Sequence, residues 1–249
     1  MKSNAPRQVS LSELSAVKMP SATRTWQPIA HHELFELFCE SINKRGYKIV
    51  NHIHTTSHDN RRYFGRINIT KKKDANSDFL LTVGVRNSHD KTYAAGGVAG
   101  SHVMVCSNGI FSGEHKFTER HTSQVNLRLD QQVERVVESV MGDYKTQDER
   151  FSKYREFELD DAMAHDIIIR SIDKQVISAS DVPHVIKQWR TPDHPEFSKD
   201  GHTMWRLFNA YTDFFKSVNV FDLPRRGDNL YDLVDTVVGL KQPTLAMAA

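Results

Sequence analysis

The segment from Tyr47 to Val85, YKIVNHIHTTSHDNRRYFGRINITKKKDANSDFLLTVGV, decides how this chain is read. It holds three runs rich in β-branched and aromatic residues: YKIVNHIHTT (47–56), YFGRINI (63–69) and FLLTVGV (79–85). Such residues suit a pleated, half-buried surface. The Asn, Asp and Ser residues between them bond their own backbone and favour turns. The pattern predicts an antiparallel meander of strands.

Working outward towards the N-terminus, PIAHHELFELFCESINKRG places Leu34, Phe35, Leu37, Phe38 and Ile42 on one helical face, with Gly46 suited to ending the helix. Residues 1–27 mix Ser, Pro, Ala and scattered charge without sustained periodicity, so they read as a flexible arm outside the core. Towards the C-terminus, the stretch Gly84–Gly109 reads GVRNSHDKTYAAGGVAGSHVMVCSNG. Asn87-Ser88-His89-Asp90 has the residue types of a strand-ending turn, and SHVMVCSN those of a further strand closed by the turn-forming pair Asn108-Gly109. Gly96, Gly97 and Gly100 have neither the Lys-Ser/Thr of a P-loop nor the spacing of a dinucleotide fingerprint, and read as a mobile connection or a close approach of backbone. The sheet is expected to end near Phe117.

Beyond it, Val125, Leu129, Val133, Val136, Val137 and Val140 recur at helical intervals up to Gly142. Shorter helices are expected at about 160–173, 181–190, 202–217 and 228–239. The fold class is therefore α+β, an N-terminal antiparallel sheet packed with a mostly helical C-terminal half. One domain is expected over 28–249, helix plus sheet in 28–120 and mainly helix in 121–249.

Among 249 residues, 39% are hydrophobic, enough for a sizeable core, and no window approaches a membrane-spanning run. The N-terminus has no compact apolar stretch of signal-peptide type, so the expected compartment is the cytoplasm. Cys39 and Cys106 are the only cysteines and have no partner at ligand spacing, which supports neither a disulfide framework nor a zinc site. The net charge of +2 hides an asymmetry. Residues 1–130 carry 18 basic and 11 acidic residues (+7), whereas 131–249 carry 15 and 20 (−5). An anionic partner would meet the first half.

The densest positive feature is RRYFGRINITKKK, in which Arg61, Arg62, Arg66, Lys71, Lys72 and Lys73 surround Tyr63 and Phe64. Cations along a strand pair attract phosphates and an aromatic face stacks an unpaired base, the combination used by single-strand binders. Strand alternation puts Arg62, Phe64 and Arg66 on one face and Tyr63 on the other, so one of the two aromatics serves as the stacking platform. Arg86, Lys116 and Arg120 complete the candidate nucleic-acid-binding set, with His89 as a possible neighbour of the strand. No catalytic residue, metal or cofactor is assigned.

Two rival functions fit other features. His54-Thr55-Thr56 and His121-Thr122-Ser123 both satisfy His-x-Thr/Ser, 67 residues apart, and resemble the paired motifs of two-histidine phosphoesterases acting on nucleotides or RNA. The acidic helical half would alternatively dock a host factor.

NSHDKT, VMVCSNG, ERHT, HPEFSK and MWRLFNAYT, in that order, resemble the phage- and plasmid-borne proteins catalogued as a domain of unknown function, over roughly residues 79–226. The resemblance implies a mobile-element or viral origin and carries no agreed catalytic residues. A narrower resemblance, to the Drc transcription regulators of podoviruses, implies a homo-oligomer that binds single-stranded DNA in the host cytoplasm and assists a phage RNA polymerase.

Overall fold

Each of the three runs forms a strand, and the polar segment His58-Asp59-Asn60 turns the chain between the first two with three consecutive residues at positive φ. The computed structural model describes residues 5–70, 79–103, 108–142, 144–199 and 201–241. Lys71, Lys72, Lys73 and Cys106 lie outside these residues. Six strands, β1 (Arg7–Val9), β2 (Lys48–Ser57), β3 (Arg62–Thr70), β4 (Phe79–Ser88), β5 (Ala95–Val103) and β6 (Asn108–Glu119), lie in the order of the chain. Every neighbouring pair is antiparallel, the expected meander.

Nine α-helices follow or flank the sheet: α1 (Leu11–Ser15), α2 (His31–Lys44), α3 (Val125–Gly142), α4 (Tyr144–Glu156), α5 (Asp161–Asp173), α6 (Val182–Arg190), α7 (Pro195–Lys199), α8 (Met204–Phe215) and α9 (Leu223–Val237) among the described residues. One sheet face presents Tyr63, Ile67, Ile69, Leu81, Val83 and Val85, all buried with the apolar stripes of α2 and α3. Gly97 makes this packing possible, because a Cβ there would sit 2.5 Å from Phe38 Cζ of α2. The helical half has its own aromatic centre, in which Trp205 stacks on Phe208 and the tilted rings of Phe151 and Tyr154 pack against them. MWRLFNAYTDFF is thus an interior helix.

Three expectations are corrected. The N-terminal arm is not outside the core: β1 pairs with β2, and Leu14 of α1 is fully buried. A capping box explains this ordering, since Ser10 Oγ accepts from the Glu13 amide and Glu13 Oε2 accepts from the Ser10 amide. The Gly-rich stretch is not a mobile connection but the body of β5, an interior strand. Lastly, α3 ends at Gly142 as expected, but a further helix that the periodicity did not predict, α4, starts two residues on. Among the side chains described in its sequence YKTQDERFSKYRE, Phe151 and Tyr154 are the buried large apolar groups, too sparse a stripe to show as periodicity.

Candidate nucleic-acid interface

At about 3.3 Å per residue, Arg62 and Arg66 of β3 stand roughly 13 Å apart, so basic residues that are dense in sequence are spaced out along the strand. Arg61 and Arg62 stand at one end, and Lys71, Lys72 and Lys73 lie outside the described residues. Arg61 is exposed and donates to the His58 carbonyl at 3.1 Å. Arg62 Nε is paired with Asp90 Oδ2 at 2.7 Å. Arg66 lies midway, half-buried, with no partner for its Nε among the described residues, and burial pushes its guanidinium pKa down.

Neither aromatic of the run offers an open face, which corrects the expectation of a stacking platform. Tyr63 is fully buried, with its hydroxyl 3.0 Å from His54 Nδ1, and Phe64 is only 2% exposed against the edge of Phe221. The reason is the place of β3 inside the sheet, covered on one side by α2 and on the other by the segment that enters α9. Gly65 serves the same packing: the Tyr63 hydroxyl occupies the space that a Cβ at residue 65 would fill.

Cross-strand register gathers what the run disperses. Phe64 lies opposite Arg86, Arg86 opposite Gly96, and Gly96 opposite Thr118. In the adjoining row Arg66 lies opposite Gly84, Gly84 opposite Val98, and Val98 opposite Lys116. Three of the expected contact residues, Arg66, Arg86 and Lys116, thereby share one face although they come from three strands. Gly96 lets Arg86 lie across β5, because a Cβ there would meet the Phe117 carbonyl at 2.6 Å and Arg86 Nε at 3.3 Å.

Above this face the first turn of α9 roofs a cleft of about 290 Å³ floored by Phe64, Gly96 and Val98. Arg86 and Lys116 enter it from the sheet, Arg225 and Asp228 from the helix, three cations against one carboxylate. Lys116 Nζ stands 3.6 Å from Asp228 Oδ2. Arg86 has neither a hydrogen bond nor a carboxylate partner among the described residues; its guanidinium lies 5.7 Å from the Tyr93 ring, and burial pushes its pKa down. A half-buried cation without a counter-charge is costly, and an anion entering the cleft would offset that cost. Arg225 was not among the expected contacts. It lies in the acidic half, and only the pair Arg225-Arg226 at a helix start marks it. Arg120 is exposed just past β6, at the same end of the sheet as Arg61.

The histidines form a separate, interior network. The rings of His31 and His89 stack at 3.8 Å with 10° between planes. His31 Nε2 donates to the Asn60 carbonyl and His89 Nε2 to the Ile29 carbonyl, both at 2.9 Å. Asn87 Nδ2 donates to the Ile29 carbonyl (2.7 Å) and to His31 Nδ1 (3.1 Å), while Asn87 Oδ1 accepts from His121 Nε2 at 2.7 Å. These bonds suit neutral imidazoles. Burial is the first cause of each shift: the pKa of His31 falls to about 3, those of His54 and His121 to about 4, and that of His89 also falls.

His54 and His121 are 3% and 5% exposed and neither lines the cleft, so the paired His-x-Thr/Ser motifs do not meet over an open phosphate site. Asn87-Ser88-His89-Asp90 is the strand-ending turn expected. Ser88 Oγ donates to the Tyr93 carbonyl, and Asp90 holds both Arg62 and the Thr92 amide. Among the described residues no group of three His, Cys, Asp or Glu is placed to hold a metal ion, and no helix is long and apolar enough to cross a membrane.

Fold and cleft together define a class: an α+β protein whose antiparallel sheet carries a cation-lined cleft under a helix from the second half of the chain. The chain belongs to the family described as Domain of unknown function (DUF932), whose model matches residues 18–233. That span contains every residue lining the cleft and every histidine of the interior network. No curated protein and no solved structure matches the chain.

Proposed function

We propose that this protein binds single-stranded DNA, with phosphates held along the sheet face that carries Arg66, Arg86 and Lys116. The observation that supports this most is Arg86, a half-buried guanidinium with no counter-charge among the described residues, set in a cleft with two further cations. Arg61 and Arg120, both exposed at the Arg86 end of the sheet, extend the positive rim for a strand longer than the cleft. The positive first half of the chain and the resemblance to Drc regulators favour the same function, in a phage-infected host and beside a phage RNA polymerase, with the protein as a homo-oligomer. A duplex about 20 Å across is a poor fit to a cleft of this volume, whereas a single strand can feed one unit at a time into it.

Fluorescence anisotropy with matched single- and double-stranded oligonucleotides across a salt series tests this. Affinity for the single strand should fall steeply with salt, the slope of log K against log salt being about −0.7 per phosphate neutralised. The double variant Arg66→Gln/Lys116→Ala should bind more weakly at every salt concentration and with a shallower slope. Equal affinity for duplex and single strand, or a slope unchanged by the double variant, would contradict the proposal.

A further inference from the structure

We infer that the cleft between the sheet and α9 is a discrete nucleotide subsite, which seats one nucleoside monophosphate unit with its phosphate on Arg86, Lys116 and Arg225 and its sugar and base against the apolar lining that Val98 and Pro224 supply. The identity of the anion as a nucleotide rests on the nucleic-acid function proposed above; the existence of an anion site does not. Arg86 arrives from β4, Lys116 from β6 and Arg225 from α9, so three elements converge on one volume. Among the described residues one Arg225 nitrogen is engaged, by Gln175 Oε1 at 3.0 Å, which leaves the rest of its fork for an oxyanion.

A bare phosphate needs only the cations. It gives no account of the apolar floor, where Phe64, Val98 and Pro224 line the same cavity. A planar apolar group attached to the phosphate does. Asp228, the one carboxylate at the site among the described residues, would accept from a sugar hydroxyl or a base amino group while holding Lys116 in place. The volume of about 290 Å³ lies at the small end of ligand sites, which run from roughly 300 to 1,000 Å³, and so suits one nucleotide rather than a dinucleotide cofactor. Because α9 supplies one wall, occupancy also ties the helical half to the sheet.

Isothermal titration calorimetry of the full chain with deoxyadenosine monophosphate, deoxyadenosine and inorganic phosphate tests the subsite, with a single-stranded oligonucleotide measured in parallel. The monophosphate should bind more tightly than the nucleoside or the phosphate alone. Arg86→Gln and Arg225→Ala should each weaken it by about tenfold or more, as loss of a charge-assisted contact does. Arg86→Gln should keep a melting temperature at or above that of the unmodified protein, since it removes an uncompensated cation; Arg225→Ala, a surface change, provides a second variant that folds. Monophosphate binding no tighter than that of phosphate, or unaffected by both variants, overturns the subsite. If the oligonucleotide still binds in that case, the wider function survives and the cleft alone is lost. If the monophosphate binds and the oligonucleotide does not, the subsite stands and single-strand binding falls.

Discussion

At the scale of single residues, two glycines and one arginine decide the local chemistry. Gly96 is needed because Arg86 must cross β5 to reach the cleft, and Gly65 because the Tyr63 hydroxyl takes up the space beside it. Gly65→Ala therefore forces Tyr63 to move within a closed core. It should cost about 1–3 kcal/mol, the usual penalty for overpacking, read as a lower urea midpoint at unchanged m-value. A midpoint equal to that of the parent would show that Tyr63 has room to give. Tyr63 and Phe64 looked like interchangeable stacking candidates because both are aromatic and both sit among cations. Sequence carries their alternation between faces but not the covering of both faces.

At the scale of elements, β1 and α1 were illegible as parts of the core, and the reason is length. Three strand residues and five helical residues are too few for a period to emerge, although Ser10 and Glu13 do carry the signature of a capping box. Leu14 is the anchor of this piece. Leu14→Ala should cost about 2–5 kcal/mol through lost burial and the cavity left behind, and Ser10→Ala about 1 kcal/mol through the lost cap. Loosening β1 also exposes the edge of β2, so Leu14→Ala should raise the tendency to associate through that edge, measured by light scattering at rising temperature. Scattering no greater than in the parent at equal stability loss would show that β1 does not guard the edge. The long elements were legible for the complementary reason: α2, α3, α8 and strands β2 to β4 bury stripes long enough to show their period.

At the scale of the whole molecule, four interior histidines link stability to pH. His31, His54, His89 and His121 have folded pKa values held below the ordinary value of about 6.5, so the unfolded chain takes up protons that the folded one refuses. Their stabilisation is complete above about pH 6.5 and is lost as the pH falls towards 4 and 3. Each contributes a slope on the order of 1.4 kcal/mol per pH unit while the pH lies between its folded and unfolded values. Urea midpoints should therefore drop between pH 7 and pH 4.5, and replacing His31 by a neutral residue of similar shape should flatten that drop. A midpoint constant across this range would show that the histidines accept protons without unfolding.

The sequence by itself determined the α+β class, the meander, the main helices and the positive character of the first half, because periodicity and charge are local properties that a chain carries into any fold. It also contained Arg66, Arg86 and Lys116 as candidates. What it could not contain was their grouping, since Arg62 and Arg66 are close in sequence yet spaced out along a strand, whereas Arg86, Lys116 and Arg225 are far apart in sequence and converge. Only the tertiary structure decided that, through cross-strand register and the docking of α9. Register is set by which face of each strand must be buried, a condition that involves residues on other elements and is therefore written in no single segment.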